Sequence, residues 1–461
     1  KGLTAPLFAG TWAGKSGLVI NDLTIKDSTI VKDENDSKQT VGVGAFIGYP
    51  QASETITLKN CHLVDSTVKG GHWTGGLIGI AGGYNGADGP VYMTLTIDGC
   101  SVETSDIISA GSAGGVIGHA TNNANTAETI KNTTVTGNTI KSTGSSTNKA
   151  GVVMGTVGTS TVTVEVTESN NNATSGGTEV KRIYGRFGST GSTLKVTGGS
   201  YTAGASEFVD PEVASTLAIS GGTFTSEPAA KYIVEGYQAK LDNSDNLYHV
   251  VEMDPVAQIG TVKYKKLEDA FKAAKRGDIV TILVDGTYSL PEKLSDITVK
   301  ADTGVKVLVD YSAKNGGLGE FKNVSFEDIS FKFGTADYTG FQKSDNIRFK
   351  NCTLDGKFFS YGDMTFDTCT FNAPGSAVYG GGADYSMWCY AGDITYKNCT
   401  FNSAGKILNV YNEGNTTTPW NIVVDSCTFN STKSSKAALN VKETCGNKFL
   451  LYDVVITNST A

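Results

Sequence analysis

Short runs of alternating apolar and polar residues recur along the chain and predict many short β-strands. One pattern is an apolar residue, two other residues, then Cys, Thr or Leu, as in "LKNCHL" from Leu58 and "IDGCSV" from Ile97. Its fourth positions recur at intervals of about 35 residues, which is typical of repeat proteins. These fourth positions are Leu23, Cys61, Cys100 and Thr133.

A second repeated pattern is a short apolar run bounded by glycines. "GAFIG" ends at Gly48, "GGLIG" at Gly79, "GGVIG" at Gly118 and "GVVMG" at Gly155. The two patterns advance together, so each repeat contains one strand of each kind. The number of strands per repeat, two or three, is left open by the sequence.

The C-terminal half repeats with a shorter period, carried by "KNCTL", "DTCTF", "KNCTF" and "DSCTF". Aligning these copies predicts one inward site, occupied in successive repeats by Ile297, Val324, Cys352, Cys369, Cys399, Cys427 and Val454. Residues that recur in this way stack on one another about 4.8 Å apart in a parallel β-solenoid. We therefore predict an all-β protein built from two right-handed parallel β-helices in series.

A change of pattern near Glu252 to Pro255 predicts the domain boundary, with one β-helix in residues 1–252 and the other in residues 256–461. Before it, "YQAKLDNSDNLYHVV" predicts a closing β-hairpin. After it, "KKLEDAFKAAK", residues 265–275, predicts a short capping α-helix with Gly277 as its C-terminal cap. Its apolar face consists of Leu267, Ala270, Phe271 and Ala274.

The glycine-bounded runs resemble the GLUG repeat of bacterial adhesins and of the non-catalytic parts of immunoglobulin A proteases. "GTVKYKKLEDAFKAAKRGDIVTILVDGTY" resembles the opening of β-helix domains in clostridial surface proteins, and "ISGGTFTSEPAAKYIVEGYQAKLDNSDNLYHV" resembles their closing segment. The resemblance covers most of the chain. It implies secretion by a Gram-positive gut bacterium, attachment to the cell wall and contact with host molecules, immunoglobulin among them. We expect the chain to be a piece of such a protein, with the signal peptide and the wall anchor outside this piece.

Composition narrows the classes of partner. The 461 residues include 56 glycines and 9 prolines, and the formal charge is -8. An acidic chain without a long basic run is not typical of nucleic-acid binding. No apolar run reaches the length of a membrane-spanning helix. We expect a monomeric fragment that neither binds nucleic acid nor inserts into a membrane.

The cysteines and histidines do not predict a metal centre or a cofactor. Six cysteines occupy the repeated inward position and are expected to form a buried core ladder: Cys61, Cys100, Cys352, Cys369, Cys399 and Cys427. Disulfides or metal binding remain the alternative for them. Cys389 and Cys445 are out of register, and either pair with each other or stay free. The isolated histidines, His62, His72, His119 and His249, lack metal-ligand spacing and are expected to be structural or exposed.

Aromatic residues between the predicted strands are the candidate ligand-binding residues, because aromatic side chains in exposed loops suit protein or sugar contacts. The alternative is that several of them fill the solenoid wall. These residues are Trp73, Tyr84, Tyr379, Tyr385, Trp388, Tyr390, Tyr411 and Trp420.

Catalysis is the competing hypothesis. Some β-helices are polysaccharide lyases or glycosidases that use carboxylates on the outer groove. Asp384 and Asp393, with Asp363 from the preceding repeat, are the candidates here, although single acidic residues at corners are more often turn formers. We expect a non-catalytic adhesin that binds a host macromolecule, an immunoglobulin or a mucin-type glycoprotein. A structural stalk and a glycan-active enzyme are the alternatives.

Overall fold

The fold is all-β and dominated by parallel sheets, as the computed structural model shows. The chain divides into two compact units, Lys1–Met253 and Asp254–Ala461. The structure describes residues 4–11, 17–32, 42–50, 55–81, 94–120, 127–144, 150–180, 182–188, 190–202, 215–314, 316–334, 339–373, 385–389, 392–403, 406–410, 421–431, 439–441 and 448–458.

The described residues of the first unit form four sheets. Sheet 1 consists of Phe8–Thr11, Ile47–Pro50, Ile78–Ala81, Ile117–Ala120, Met154–Val157 and Tyr184–Phe187. Sheet 2 consists of Gly42–Val43, Trp73–Gly75, Ser112–Gly114 and Ala150–Gly151. Sheet 3 consists of Leu18–Asn21, Thr24–Lys26, Thr55–Lys59, His62–Val64, Thr94–Asp98, Ser101–Glu103, Ala127–Thr136, Thr161–Ser169, Thr193–Tyr201, Thr216–Ile219, Thr223–Phe224, Tyr237–Asp242 and Leu247–Glu252. Sheet 4 consists of Thr29–Val31, Thr67–Gly70, Asp106–Ser109, Thr139–Ser142, Asn172–Ser175 and Thr178–Glu179.

Three sheets make up the part of the second unit that the structure describes. Sheet 5 consists of Ala257–Ile259, Val262–Tyr264, Ile279–Ile282, Lys293–Ser295, Thr298–Ala301, Glu320–Glu327, Asp345–Lys350, Met364–Asp367, Ile394–Lys397, Asn421–Asp425 and Lys448–Tyr452. Sheet 6 consists of Gly286–Tyr288, Val307–Tyr311, Ile329–Phe333, Thr353–Asp355, Thr370–Ala373, Thr400–Ser403, Thr428–Ser431 and Val455–Asn458. Sheet 7 consists of Phe358–Ser360, Tyr385–Cys389, Lys406–Val410 and Leu439–Val441.

Each repeat contributes one strand to each of several sheets, and the strand pairs in parallel with its equivalent one repeat later. Thr55 pairs with Thr94, which pairs with Ala127, so the sequence repeat and the sheet register coincide. We call such a set of paired residues a column. This arrangement is consistent with a β-helix-like fold.

The "NCT" stretch forms the same tight corner in each repeat. The residue before the cysteine has a positive φ, 51° at Asn351 and 54° at Asn398, a conformation that Asn tolerates better than most residues. Sγ of Cys352 and Sγ of Cys399 then lie 3.4 and 3.3 Å from the carbonyl oxygen two residues earlier. In the first unit Oγ1 of Thr133 donates the equivalent hydrogen bond. The side chain after the corner therefore satisfies a backbone carbonyl.

The predicted column of the second unit is correct from Cys352 onwards and wrong before it. Val324 pairs with Ile347, and the register of Thr298 with Ser325 places Ile297 beside Val324. Thr353, next to Cys352, pairs instead with Ser330, the residue after Ile329. Val307 and Ile329 therefore precede Cys352 in its column. Both columns are apolar, and alignment of the sequence repeats does not distinguish them.

Apolar columns form a separate core in each unit. In the second unit aromatic rings stack from repeat to repeat. The ring centroids of Phe349 and Phe366 are 4.9 Å apart, and those of Phe371 and Phe401 are 4.4 Å apart. Stacking buries large apolar areas and fixes the register, because a slip by one residue would turn every ring outward.

The glycine-bounded runs bring sheets 1 and 2 into backbone contact. A Cβ at Gly118 would lie 2.6 Å from both the carbonyl oxygen of Gly79 and the amide nitrogen of Thr74. A Cβ at Gly155 would lie 2.5 Å from the carbonyl oxygen of Gly118. The repeated glycines are therefore needed because two sheets pack without room for a side chain.

The helix and the hairpin occur where the sequence predicts them, apart from the helix C-cap. The helix spans Leu267–Ala273, and its C-cap is Ala274, so the prediction of Gly277 as the cap is wrong. Gly277 has a φ of 87° in the turn beyond. Tyr237–Asp242 and Leu247–Glu252 pair antiparallel as the predicted hairpin. No helix in the described part of the chain has the length and apolar character to cross a bilayer.

Candidate functional site

The structure describes only part of the predicted aromatic set. Trp73 begins the strand Trp73–Gly75, so its assignment to an exposed loop is wrong. Tyr385 and Trp388 likewise lie on a strand, Tyr385–Cys389, rather than in a long turn. The others lie outside the described residues: Tyr84, Tyr379, Tyr390, Tyr411 and Trp420.

Two of the three candidate catalytic carboxylates hold the backbone of the next repeat. Oδ1 of Asp363 accepts a hydrogen bond from the amide of Asp393 at 2.7 Å. Oδ1 of Asp393 accepts one from the amide of Asn421 at 2.6 Å, and the side-chain amide of Asn421 also contacts Asp393. Asp384 lies outside the described residues. Asp363 and Asp393 therefore have the geometry of turn formers.

The repeated cysteines are buried as thiols. Cys61, Cys100, Cys352, Cys369, Cys399 and Cys427 are each at most 2% exposed and form no disulfide. Burial raises the pKa of Cys100 to about 12. The thiol of Cys352 raises the pKa of Cys369, and that of Cys369 raises the pKa of Cys399, each to about 12. Cys389 is buried too, with Sγ 3.3 Å from Oη of Tyr396, whereas Cys445 lies outside the described residues.

One group of described residues has a metal-ligand arrangement. The ligand atoms of Asp242, Asp245 and His249 lie within 4.8 Å of one another on the hairpin. Oδ2 of Asp245 is 2.8 Å from Nε2 of His249, while Oδ1 accepts a hydrogen bond from the amide of Leu247. These contacts stabilise the hairpin turn.

A basic cluster lies between sheets 1 and 2. In sheet 1, His119 pairs with Thr156, which pairs with Arg186. The indole of Trp73 in sheet 2 stacks on the imidazole of His119, with ring centroids 4.8 Å apart and an angle of 20°. The ring of His72 is nearly perpendicular to that of Trp73, with ring centroids 4.1 Å apart. We call His72, Trp73, His119, Thr156 and Arg186 the basic cluster.

The basic cluster contains buried polar atoms without partners. Nδ1 of His119 and Nε of Arg186 are buried, and neither has a hydrogen-bond partner within the part of the chain that the structure describes. Oγ1 of Thr156, between them in the column, bonds to Oγ of Ser112 at 2.7 Å. Buried polar atoms usually find partners, so the basic cluster is a candidate site for a polar ligand.

Burial lowers the pKa of His119 to about 3, and the charge of Arg186 and then that of His72 lower it as smaller causes. His119 is therefore neutral at physiological pH, and Arg186 carries the fixed positive charge of the cluster. Trp73, His72 and Arg186 are half-buried, so the cluster reaches the surface.

Sequence reasoning missed Arg186 and treated His119 as an isolated histidine. A signal was present, because each of these residues directly follows the closing glycine of a repeated run. Aligning the residues after Gly79, Gly118, Gly155 and Gly185 would have placed Ile80, His119, Thr156 and Arg186 in one column.

No protein-family model matches this sequence, and no curated protein sequence matches it either.

Proposed function

We propose that the protein consists of two consecutive right-handed parallel β-helices and binds a host glycoprotein at the surface of a Gram-positive bacterium, without catalysis. Immunoglobulin and mucin-type glycoproteins are the candidate partners. The proposal includes an extracellular location. This part of it rests on the motif resemblance and not on the fold.

The observation that carries the binding proposal is that the strands of sheet 1 end in register where the chain leaves towards sheet 3. The strand ends stay in register, Thr11 with Pro50 and Ala81 with Ala120. The connecting segments that follow these strands differ in length, from the three residues 158–160 to the twelve residues 82–93. Constant strands with variable connections at one position are typical of a scaffold that presents binding loops.

The roles of Asp363 and Asp393 favour binding over glycan cleavage. Their carboxylates already accept backbone hydrogen bonds from the following repeats, at 2.7 and 2.6 Å. A carboxylate committed in this way is poorly placed to transfer a proton to a substrate. The stalk alternative differs from binding in a single respect, since it requires no selective partner.

Affinity capture tests the proposal. The full chain, immobilised, is exposed to intestinal secretions and then to purified immunoglobulin A and mucin. We expect selective retention of one glycoprotein. A matched variant replaces residues 82–93 by a Gly-Ser linker of equal length, and a second replaces residues 121–126. Loss of glycoprotein retention in either variant would support the replaced segment as part of the binding surface. No retention by the unaltered chain would leave the stalk as the better description.

A further inference from the structure

We propose that the basic cluster binds the oxyanion of an acidic sugar, a carboxylated or sulfated residue of a host glycan. The inference rests on the proposed glycoprotein-binding function and names the chemical group that this face takes. Of the candidate aromatic residues and carboxylates identified from sequence, Trp73 alone belongs to the basic cluster.

The donors of the basic cluster fit an oxyanion. Nε of Arg186 is buried and has no hydrogen-bond partner among the described residues. A guanidinium binds a carboxylate or sulfate through parallel N–H donors, and it binds more strongly where water is excluded. Nδ1 of His119 offers a second donor in the tautomer protonated at that nitrogen. The imidazole is 7% exposed, so it cannot obtain this hydrogen bond freely from bulk water.

The strand register sets the spacing of these two donors. Thr156 lies between His119 and Arg186 in the column, and neighbouring strands are about 4.8 Å apart. Its short side chain is turned to Ser112, to which it is hydrogen-bonded. A small residue therefore separates the two long side chains that carry Nδ1 and Nε.

The charge of the surroundings selects an anion. Among the described residues, the charged groups that act on His119 are Arg186 and His72, both of them bases. The chain as a whole carries a formal charge of -8. A local positive site on an acidic protein disfavours polyanions and favours a ligand with a single acidic group.

Trp73 indicates that the anion belongs to a sugar rather than to a free ion. One face of its indole is fixed by the imidazole of His119, and the side chain remains half-buried at the edge of the site. A rigid aromatic surface beside polar donors suits a ligand with both an apolar ring face and a charged group. A pyranose with one acidic substituent has this form.

Isothermal titration of the full chain tests the inference with three probes: 3′-sialyllactose, lactose 3-sulfate and lactose. We expect one or both acidic probes to bind at least about tenfold more tightly than lactose, as an Arg–oxyanion hydrogen bond implies. The two acidic probes separate a carboxylate from a sulfate. Equal binding of all three, or no binding of the acidic probes, would overturn the inference.

Variants assign the effect to the basic cluster. Arg186→Gln should lower the affinity for the acidic probe by about tenfold, to about the affinity for lactose. Lys195→Gln removes the same charge from an exposed position on sheet 3 and should leave the preference unchanged. Arg186→Lys, which keeps the charge without the planar donor pair, should lose part of it. Equal effects of Arg186→Gln and Lys195→Gln would show a non-specific charge effect and refute the site.

The design separates this inference from the proposed function. Retention of a host glycoprotein that survives both Arg186→Gln and enzymatic removal of acidic sugars would refute the site and leave the function standing. Arg186-dependent binding of 3′-sialyllactose or lactose 3-sulfate without retention of any glycoprotein would support the site and contradict the function. Thermal unfolding of each variant, monitored by circular dichroism, checks that the fold persists.

Discussion

His119 illustrates how the environment of one residue changes its chemistry. An isolated histidine in a sequence is expected to titrate near pH 6.5. In the structure the indole of Trp73 covers it, and burial together with the charge of Arg186 lowers its pKa to about 3. The folded protein therefore holds this imidazole neutral across the range in which an exposed histidine becomes charged.

This pKa predicts acid sensitivity of the first unit. Below about pH 6.5 the unfolded chain takes up a proton at His119 that the folded chain refuses, so the free energy of unfolding falls as the pH drops from 6.5 towards 3. The full contribution is on the order of 5 kcal/mol, and roughly 3 kcal/mol of it is lost between pH 7 and pH 4. Urea unfolding at pH 7 and pH 4 measures it. His119→Gln should reduce the difference between the two pH values, because glutamine takes up no proton in this range. An undiminished difference in His119→Gln would contradict the assignment.

The buried thiols predict low reactivity. The pKa of Cys369 and that of Cys399 are raised to about 12, and both side chains are 1% exposed. Since the thiolate is the reactive form, iodoacetamide at pH 8 should label these cysteines at least about a hundredfold more slowly in the folded than in the denatured chain. Peptide mass mapping gives the rates site by site. Lys195→Cys provides an exposed reference thiol, and equal rates at Cys399 and that thiol would rule out the buried ladder.

At the scale of elements, side-chain columns specify the register of the sheets. On the outer face of sheet 5, Lys300, Glu327, Lys350, Asp367, Lys397 and Asp425 follow one another in register. Charges therefore alternate in sign from strand to strand, and a shift by one repeat would place like charges together. Side-chain amides add directional contacts, with Nδ2 of Asn402 donating to Oδ1 of Asn372 at 2.8 Å. Each outward column therefore favours the same pairing as the apolar core.

Contact between sheets 1 and 2 predicts a strong effect at Gly118. In Gly118→Ala the new Cβ would meet two backbone atoms at 2.6 Å, neither of which belongs to a flexible side chain. We expect the free energy of unfolding of the first unit to fall by about 3 kcal/mol or more. Chemical denaturation followed by circular dichroism measures the change.

Gly177→Ala is the matched control. Gly177 has a φ of 83°, and no atom of the described residues lies within 4 Å of the position that a Cβ would take there. Its substitution should cost only the backbone term, about 1 to 2 kcal/mol. If Gly118→Ala were no more destabilising than Gly177→Ala, the close packing of sheets 1 and 2 would not be the reason for the glycine-bounded runs.

For the whole molecule, the sequence predicts best what repeats. In these parallel sheets each residue pairs with the equivalent residue of the next sequence repeat. The cysteine column from Cys352 to Cys427 therefore follows from alignment of the repeats alone. Before Cys352 the pairing offset differs between neighbouring strands, and alignment of the repeats places Val324 in the wrong apolar column. The site was harder to predict, because His119, Trp73 and Arg186 come together through contact between two sheets. Alternation along one strand does not reveal such contacts.

Each unit has its own core, which predicts independent folding. Among the described residues, the buried apolar side chains up to Val250 form one cluster, and those from Ala257 onwards form another. Residues 1–253 and 254–461, produced separately, should each give a β-rich circular dichroism spectrum and a cooperative unfolding transition. The full chain should show both transitions, and Gly118→Ala should shift only the one assigned to residues 1–253. A unit that stays unfolded when produced alone would show that its stability depends on the other.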